Sequence, residues 1–162
     1  MADQWVVNAS PIILLAKAEV IQFLPCLCDM LVIPAGVVGE VQNTQIADLG
    51  KSGLDTDGKQ FVRPSPPIHT ALANWHGGAG EAEVISWALQ NSGFIAILDD
   101  RRARLLATRN GVSVLGSLRV IVLAKERGFI PKATPALENL RGAGAYVTGE
   151  LIDHAIVLAG EA

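Results

Sequence analysis

Short apolar runs alternate along this chain with longer segments whose apolar positions recur at helical spacing. Trp5-Val6-Val7 is a buried-strand signal. Ile12 to Ala18 follows as a helix entered from Ser10, with Pro11 in the first turn, where its missing N–H costs no hydrogen bond. Met30-Leu31-Val32-Ile33 reads as a second strand closed by Pro34, after which Val37, Val38 and Val41 repeat at helical spacing. Residues 50–67 are rich in Gly, Ser, Asp and Pro and predict a long surface excursion within one domain.

Ala79 to Asn91 predicts an amphipathic helix ending near Gly93, and Phe94 to Leu98 a fully apolar strand. Arg101 to Thr108 is helical and stops near Gly111; Val112 to Leu115 is a strand; Leu118 to Arg127 is a helix ended by Gly128. Two further helical patterns flank Gly142-Ala143-Gly144, the last one capped by Thr148. Parallel strands need crossover connections, so apolar strands alternating with helices predict an α/β fold with a central parallel sheet of about four strands and helices on both faces. The expected organisation is a single domain over residues 1–162, with a core at about 5–130 and a helical tail at 131–162. Packing against the core is the favoured reading of the tail, ahead of contact with a partner.

Composition narrows the function. Half of the 162 residues are apolar and 18% are charged, which excludes a disordered linker. No apolar run approaches the roughly 20 residues of a bilayer-spanning helix, and the start lacks a basic segment. A cytoplasmic protein without a membrane partner is expected. A formal charge of −3 is not that of a protein whose whole surface grips nucleic acid. Any such grip must be local, and Arg101-Arg102-Ala103-Arg104 is the candidate, although charge alone favours a solvated helix face. Cys26 and Cys28 lack the further ligands of a zinc site and read as buried reduced thiols. The histidines, His69, His76 and His154, are scattered and read as satisfied or surface residues.

In an open parallel sheet, ligands bind beyond the carboxyl ends of the strands. The first strand ends in Asn8-Ala9-Ser10, and Asp99-Asp100 follows the apolar run Phe94 to Leu98. Glu40 shares the inward stripe of its helix with Val37 and Val41, and Glu81 shares one with Ile85, Ala88 and Leu89, whereas Glu83 lines up with Trp87 and Gln90. Glu81 is thus expected to be the inward acid of that pair. Acids turned toward a core raise one another's pKa, a cost that a divalent cation between them removes, and hard oxygen ligands suit Mg²⁺ or Mn²⁺. Such chemistry points to a phosphodiester substrate. Helix caps and surface ion pairs are the alternative account of the same acids. Gly77-Gly78-Ala79-Gly80 before a helix offers a weaker alternative, a phosphate-binding turn of a nucleotide-binding module.

Five segments in order then carry a resemblance: Val6-Val7-Asn8-Ala9-Ser10-Pro11-Ile12, Ile33-Pro34 to Glu40, Gly80-Glu81-Ala82-Glu83-Val84-Ile85, Ile97-Leu98-Asp99-Asp100-Arg101 with Arg104, and Val114-Leu115-Gly116-Ser117-Leu118. Over about residues 5–130 the chain resembles PIN-domain proteins of a branch related to the VapC toxins. The resemblance implies a three-layer PIN-like fold and a Mg²⁺- or Mn²⁺-dependent endoribonuclease. Its acidic cluster would be carried by Asn8, Glu40, Glu81, Asp99 and Asp100, of which the four acids would be catalytic. Ser10 and Ser117 would support the ligands, and Arg101 and Arg104 would lie near RNA phosphate. Homodimers, and an antitoxin protein as partner, are also implied. The departure is Asn8, where the family pattern has Asp: the amide keeps a carbonyl oxygen but removes a negative charge and weakens metal binding. A member of reduced activity, a PIN-type module that binds RNA or protein without cutting, and a substitution that silences a nuclease all fit this departure.

Overall fold

The computed structural model describes residues 3–43, 58–144 and 147–162. Strand β1 (Gln4–Val7) lies at the centre of a five-stranded, all-parallel sheet of order β3-β2-β1-β4-β5. Its neighbours are β2 (Met30–Pro34) and β4 (Phe94–Ile97), and the edges are β3 (Val62–Arg63) and β5 (Val114–Leu115). Consecutive residues of β1, β2 and β4 are buried, among them Val6, Val7, Val32, Ala96 and Ile97, so helices cover both faces of the sheet. Unbroken apolar strands are the sequence signature of that arrangement.

The helices are α1 (Ala9–Lys17), α2 (Ala35–Asn43), α3 (Ala79–Gln90), α4 (Arg101–Arg109), α5 (Ser117–Glu126), α6 (Thr134–Glu138) and α7 (Gly149–Leu158). Their apolar stripes close the core through Ile12 and Leu15, Val37, Val84 and Ile85, and Val120 to Val122. Helices α4 and α5 stop where Gly111 and Gly128 take φ of +80° and +82°, a left-handed backbone that glycine adopts without Cβ strain.

Several expectations are revised. Helix α1 begins at Ala9, so Ser10 and Pro11 lie inside its first turn. Of the expected excursion, residues 50–57 lie outside the described residues, but the remainder is not all loop. Val62 and Arg63 pair with Ile33 and Pro34 to add the fifth strand, a pairing too short to leave a periodic signal. Cys26 is exposed rather than buried, since it ends the 3-10 turn Ile21–Cys26 facing solvent. Cys28 is half-buried, and burial, reinforced by Asp29 and Asp3, pushes its thiol up to about 12.

The tail docks onto the body. Ile152, Ala155 and Ala159 of α7 are buried. The Glu161 carboxylate accepts the Ala133 N–H at 2.8 Å, the Thr134 N–H at 3.0 Å and the Thr134 hydroxyl at 2.7 Å, tying the chain end to the start of α6. Lys125 of α5 donates to the Ala159 carbonyl at 2.7 Å. Among the described residues no helix is long and apolar enough to cross a membrane.

Candidate functional site

The sheet order places the topological switch at β1. The chain builds β2 and β3 on one side of it, then crosses to build β4 and β5 on the other. Connections leave in opposite directions at such a point, which opens a crevice beyond the strand ends. The β1–β4 ladder matches Val7 with Ile97 and continues through a bond from the Asn8 N–H to the Ile97 carbonyl at 3.2 Å. Asn8 and Asp99 therefore stand at the mouth of that crevice.

Asn8 is 3% exposed and occupies the N-cap position of α1, yet its side chain makes no cap bond. Among the described residues, its Oδ1 is buried without a hydrogen-bond partner. Asparagine is among the best capping residues, and a buried amide oxygen with no donor costs about 1–3 kcal/mol. An electron-pair donor is thus kept free beside the acids.

Asp99 is held from two helices. Its Oδ1 accepts the Ser117 N–H at 2.8 Å, and its Oδ2 accepts the Ser117 hydroxyl at 2.6 Å and that of Ser10 at 3.5 Å. Burial lifts its carboxyl above the ordinary aspartate range, against the pull of the Ser117 bonds, the Arg104 charge and the Ser10 hydroxyl. Arg104 reaches back to donate to the Leu98 carbonyl at 3.3 Å. Gly116 makes room for it, because a Cβ there would meet the guanidinium.

Asp100 caps α4 by accepting the Arg102 N–H at 2.9 Å. Glu81 folds back onto its own helix start and accepts the Gly78 N–H at 2.9 Å. Its carboxyl is raised by burial, only partly offset by that N–H, and further by repulsion from Asp100 and Glu40. Glu40 crosses from α2 to accept the Gly80 N–H at 2.8 Å, and a Cβ on Gly80 would come within 2.7 Å of its Oε2. Asn8, Ser10, Glu40, Glu81, Asp99, Asp100 and Ser117 thus form one chain of neighbours. Even so, among the described residues no three His, Cys, Asp or Glu side chains stand close enough to hold a metal ion. Each acid has found a nearby N–H, and Glu81 also reaches Asp100.

Two readings of the sequence are corrected here. Glu81 is not the more inward acid of its pair: Glu83 is 8% exposed, while Glu81 is half-buried. Position in the first turn lets Glu81 curl back over the helix end, whereas Glu83 points at α2 and accepts the Gly36 N–H at 3.3 Å. The Gly77 to Gly80 turn does not offer amides to a phosphate, since Glu81 and Glu40 already occupy the Gly78 and Gly80 N–H groups. Sequence reasoning also overlooked Trp75, half-buried beside this turn. Its ring lies 5.8 Å from the guanidinium of Arg102, and its Nε1 donates to the Gly78 carbonyl. His69 is satisfied, its Nδ1 accepting the Ala71 N–H.

Arg101 is exposed on α4 with no partner among the described residues. Together with Arg104 and Asp99 it borders a groove of about 350 Å³ that runs on to α5 and α7. No local pattern marks this groove, because its lining comes from three separate stretches of the chain, Asp99 to Arg104, Gly116 to Val122 and Leu151 to Leu158.

A family model described as a PIN domain matches residues 4–161, which takes in the tail as well as the core. No curated protein and no solved structure matches the chain.

Proposed function

From the premise that the chain belongs to the PIN-domain family, a nuclease-type fold, we propose that it is a metal-dependent endoribonuclease of the VapC-related kind, with activity reduced by Asn8. The observation that carries this reading is the free, buried Oδ1 of Asn8 at the switch point, alongside acids whose carboxyls burial and mutual repulsion have raised. A set of hard oxygens carrying excess negative charge fits Mg²⁺ or Mn²⁺. Asn8, Asp99, Asp100, Glu81 and Glu40 would hold the ion once Glu81 and Glu40 turn from the Gly78 and Gly80 N–H groups, with Ser10 and Ser117 orienting Asp99. Such an ion activates water and neutralises charge on the phosphoryl oxygens.

The protein's own groups do the rest. Glu81, which lies against Asp100, would take the proton of the attacking water. The water oxygen bonds to phosphorus, the bond to the leaving ribose oxygen breaks, and that oxygen recovers a proton from solvent. Arg104 and the unpaired Arg101 balance charge on the phosphate.

The test is cleavage of mixed RNA with Mn²⁺, Mg²⁺ or EDTA by this protein, by Asn8→Asp, and by Asn8→Asp with Glu81→Ala. Cutting that rises in the first variant and disappears in the second, and with EDTA, is the expected outcome. A second reading, a PIN-type module that binds RNA without cutting, is favoured by the acids being engaged with N–H groups, no three of them among the described residues standing close enough to hold a metal ion. It takes the lead if none of the three folded proteins cuts RNA.

A further inference from the structure

The groove beside Asp99 is lined by unlike groups. Arg101, Arg104 and Arg119 supply cations, while Leu118 and the α7 stripe of Leu151, His154 and Leu158 supply a largely apolar wall. Leu151 and Leu158 are 45% and 52% exposed, large apolar side chains left open on an otherwise docked helix. Asp99 is the single acid bordering it among the described residues, in a chain whose formal charge is −3. Cations are therefore concentrated here against the trend of the molecule. Among the described residues Arg101 has no partner, and Arg119 has only the exposed carboxylate of Glu126, at 3.3 Å.

We propose that α7 forms the far wall of a binding site for one unpaired nucleotide of the RNA strand, next to the phosphate at Asp99. Arg101 and Arg119 grip the backbone, and the base lies against the stripe of α7 formed by Leu151, His154 and Leu158. A volume of about 350 Å³ lies at the low end of small-ligand sites, enough for one nucleotide and too small for a duplex. A base inside a helix hides its faces, so apolar surface beside cations selects single strands. The tail, beyond its packing role, then helps to choose the substrate. This inference rests on the RNA-directed reading above but not on catalysis.

The test is fluorescence anisotropy of a labelled RNA single strand in EDTA, which withholds the metal that cutting needs, with the matching duplex as comparison. His154→Glu and Leu158→Glu alter exposed positions and are expected to weaken single-strand binding at least tenfold. His154→Tyr, which keeps a flat ring there, is expected to keep it, which a misfolded protein would not do. Unchanged binding in both Glu variants, or a duplex bound as tightly as the single strand, overturns the inference. So does sedimentation showing a dimer that Leu158→Glu dissociates, because the leucines would then face a second copy. Cleavage in the Asn8→Asp background separates the two claims. If that variant cuts nothing while His154→Glu still loses binding, the groove stands and the nuclease reading falls. If it cuts and binds equally well with either Glu substitution, the reverse holds.

Discussion

Replacing Asn8 with aspartate adds a carboxylate at a position 3% exposed, next to Asp99, whose carboxyl is already raised by burial. The free Oδ1 has no donor to offer it among the described residues. A buried charge without compensation costs about 3–5 kcal/mol. Taking up a proton instead sets a ceiling, since keeping an ordinary aspartic acid neutral at about pH 7.5 costs roughly 5 kcal/mol at 1.36 per pH unit. In EDTA the variant should therefore lose about 3 kcal/mol, which in a chain of this length lowers Tm by roughly 6 to 12 °C. Mn²⁺ at about a hundredfold excess over its Kd should return near 2.7 kcal/mol. The original protein, lacking that charge, should respond far less. Thermal melts monitored by circular dichroism, with EDTA and with Mn²⁺, read both quantities without RNA. Equal Tm in EDTA would mean that Asn8 is not in the acidic environment described; equal Mn²⁺ shifts in the two proteins would mean that it is not a ligand position.

Glu81→Gln should raise Tm in EDTA, because a raised folded pKa means that the charged form is disfavoured at neutral pH and that stability is gained as pH falls through it; an unchanged or lower Tm refutes this. Glu161 has the opposite sign: burial raises its carboxyl, but the Ala133 and Thr134 donors and Lys125 outweigh that and hold it below the ordinary range. Its stabilisation is present above the unfolded pKa and lost as pH falls through the folded one, so Glu161→Gln should cost about 1–3 kcal/mol at neutral pH and little in strong acid, as read by denaturant melts at the two pH values. Gly116→Ala should leave the fold intact but push Arg104 off its place beside Asp99, weakening binding of the single-stranded probe several-fold while Tm moves by little.

The parts of this molecule legible in its sequence are those where local chemistry and tertiary packing ask for the same residue. Trp5 to Val7, Leu31 to Ile33 and most of Phe94 to Ile97 are buried apolar residues because both faces are covered, and that pattern leaves few alternatives to a parallel sheet. From the sheet follows the place of the site, since polar residues directly after such strands can only stand at the crevice, and Asn8, Ser10, Asp99 and Asp100 do. The helical acids were harder. Periodicity gives the angle of a side chain around its helix and says nothing of whether it curls along the axis, and Glu81 in the first turn does so to meet the Gly78 N–H. Glu83, two residues on, has no such outlet, and is buried where α2 comes close enough at Gly36 to leave no space for a Cβ.

What remained hidden depends on contacts far apart in the chain. Ser117 meets Asp99 across 18 residues and His154 faces Arg101 across a groove that exists only because α7 docks on α5. Glu161 adds to that docking through its bonds to Ala133 and Thr134, beside the bond from Lys125 to the Ala159 carbonyl. One carboxylate thus helps to hold the helix that walls the groove. Loosening it should then weaken single-strand binding along with stability, while the carboxylates at the switch point keep their own bonds. The tail is in this sense a structural element whose open face is functional: its buried stripe, Ile152, Ala155 and Ala159, serves the fold, and the leucines left outside serve the substrate.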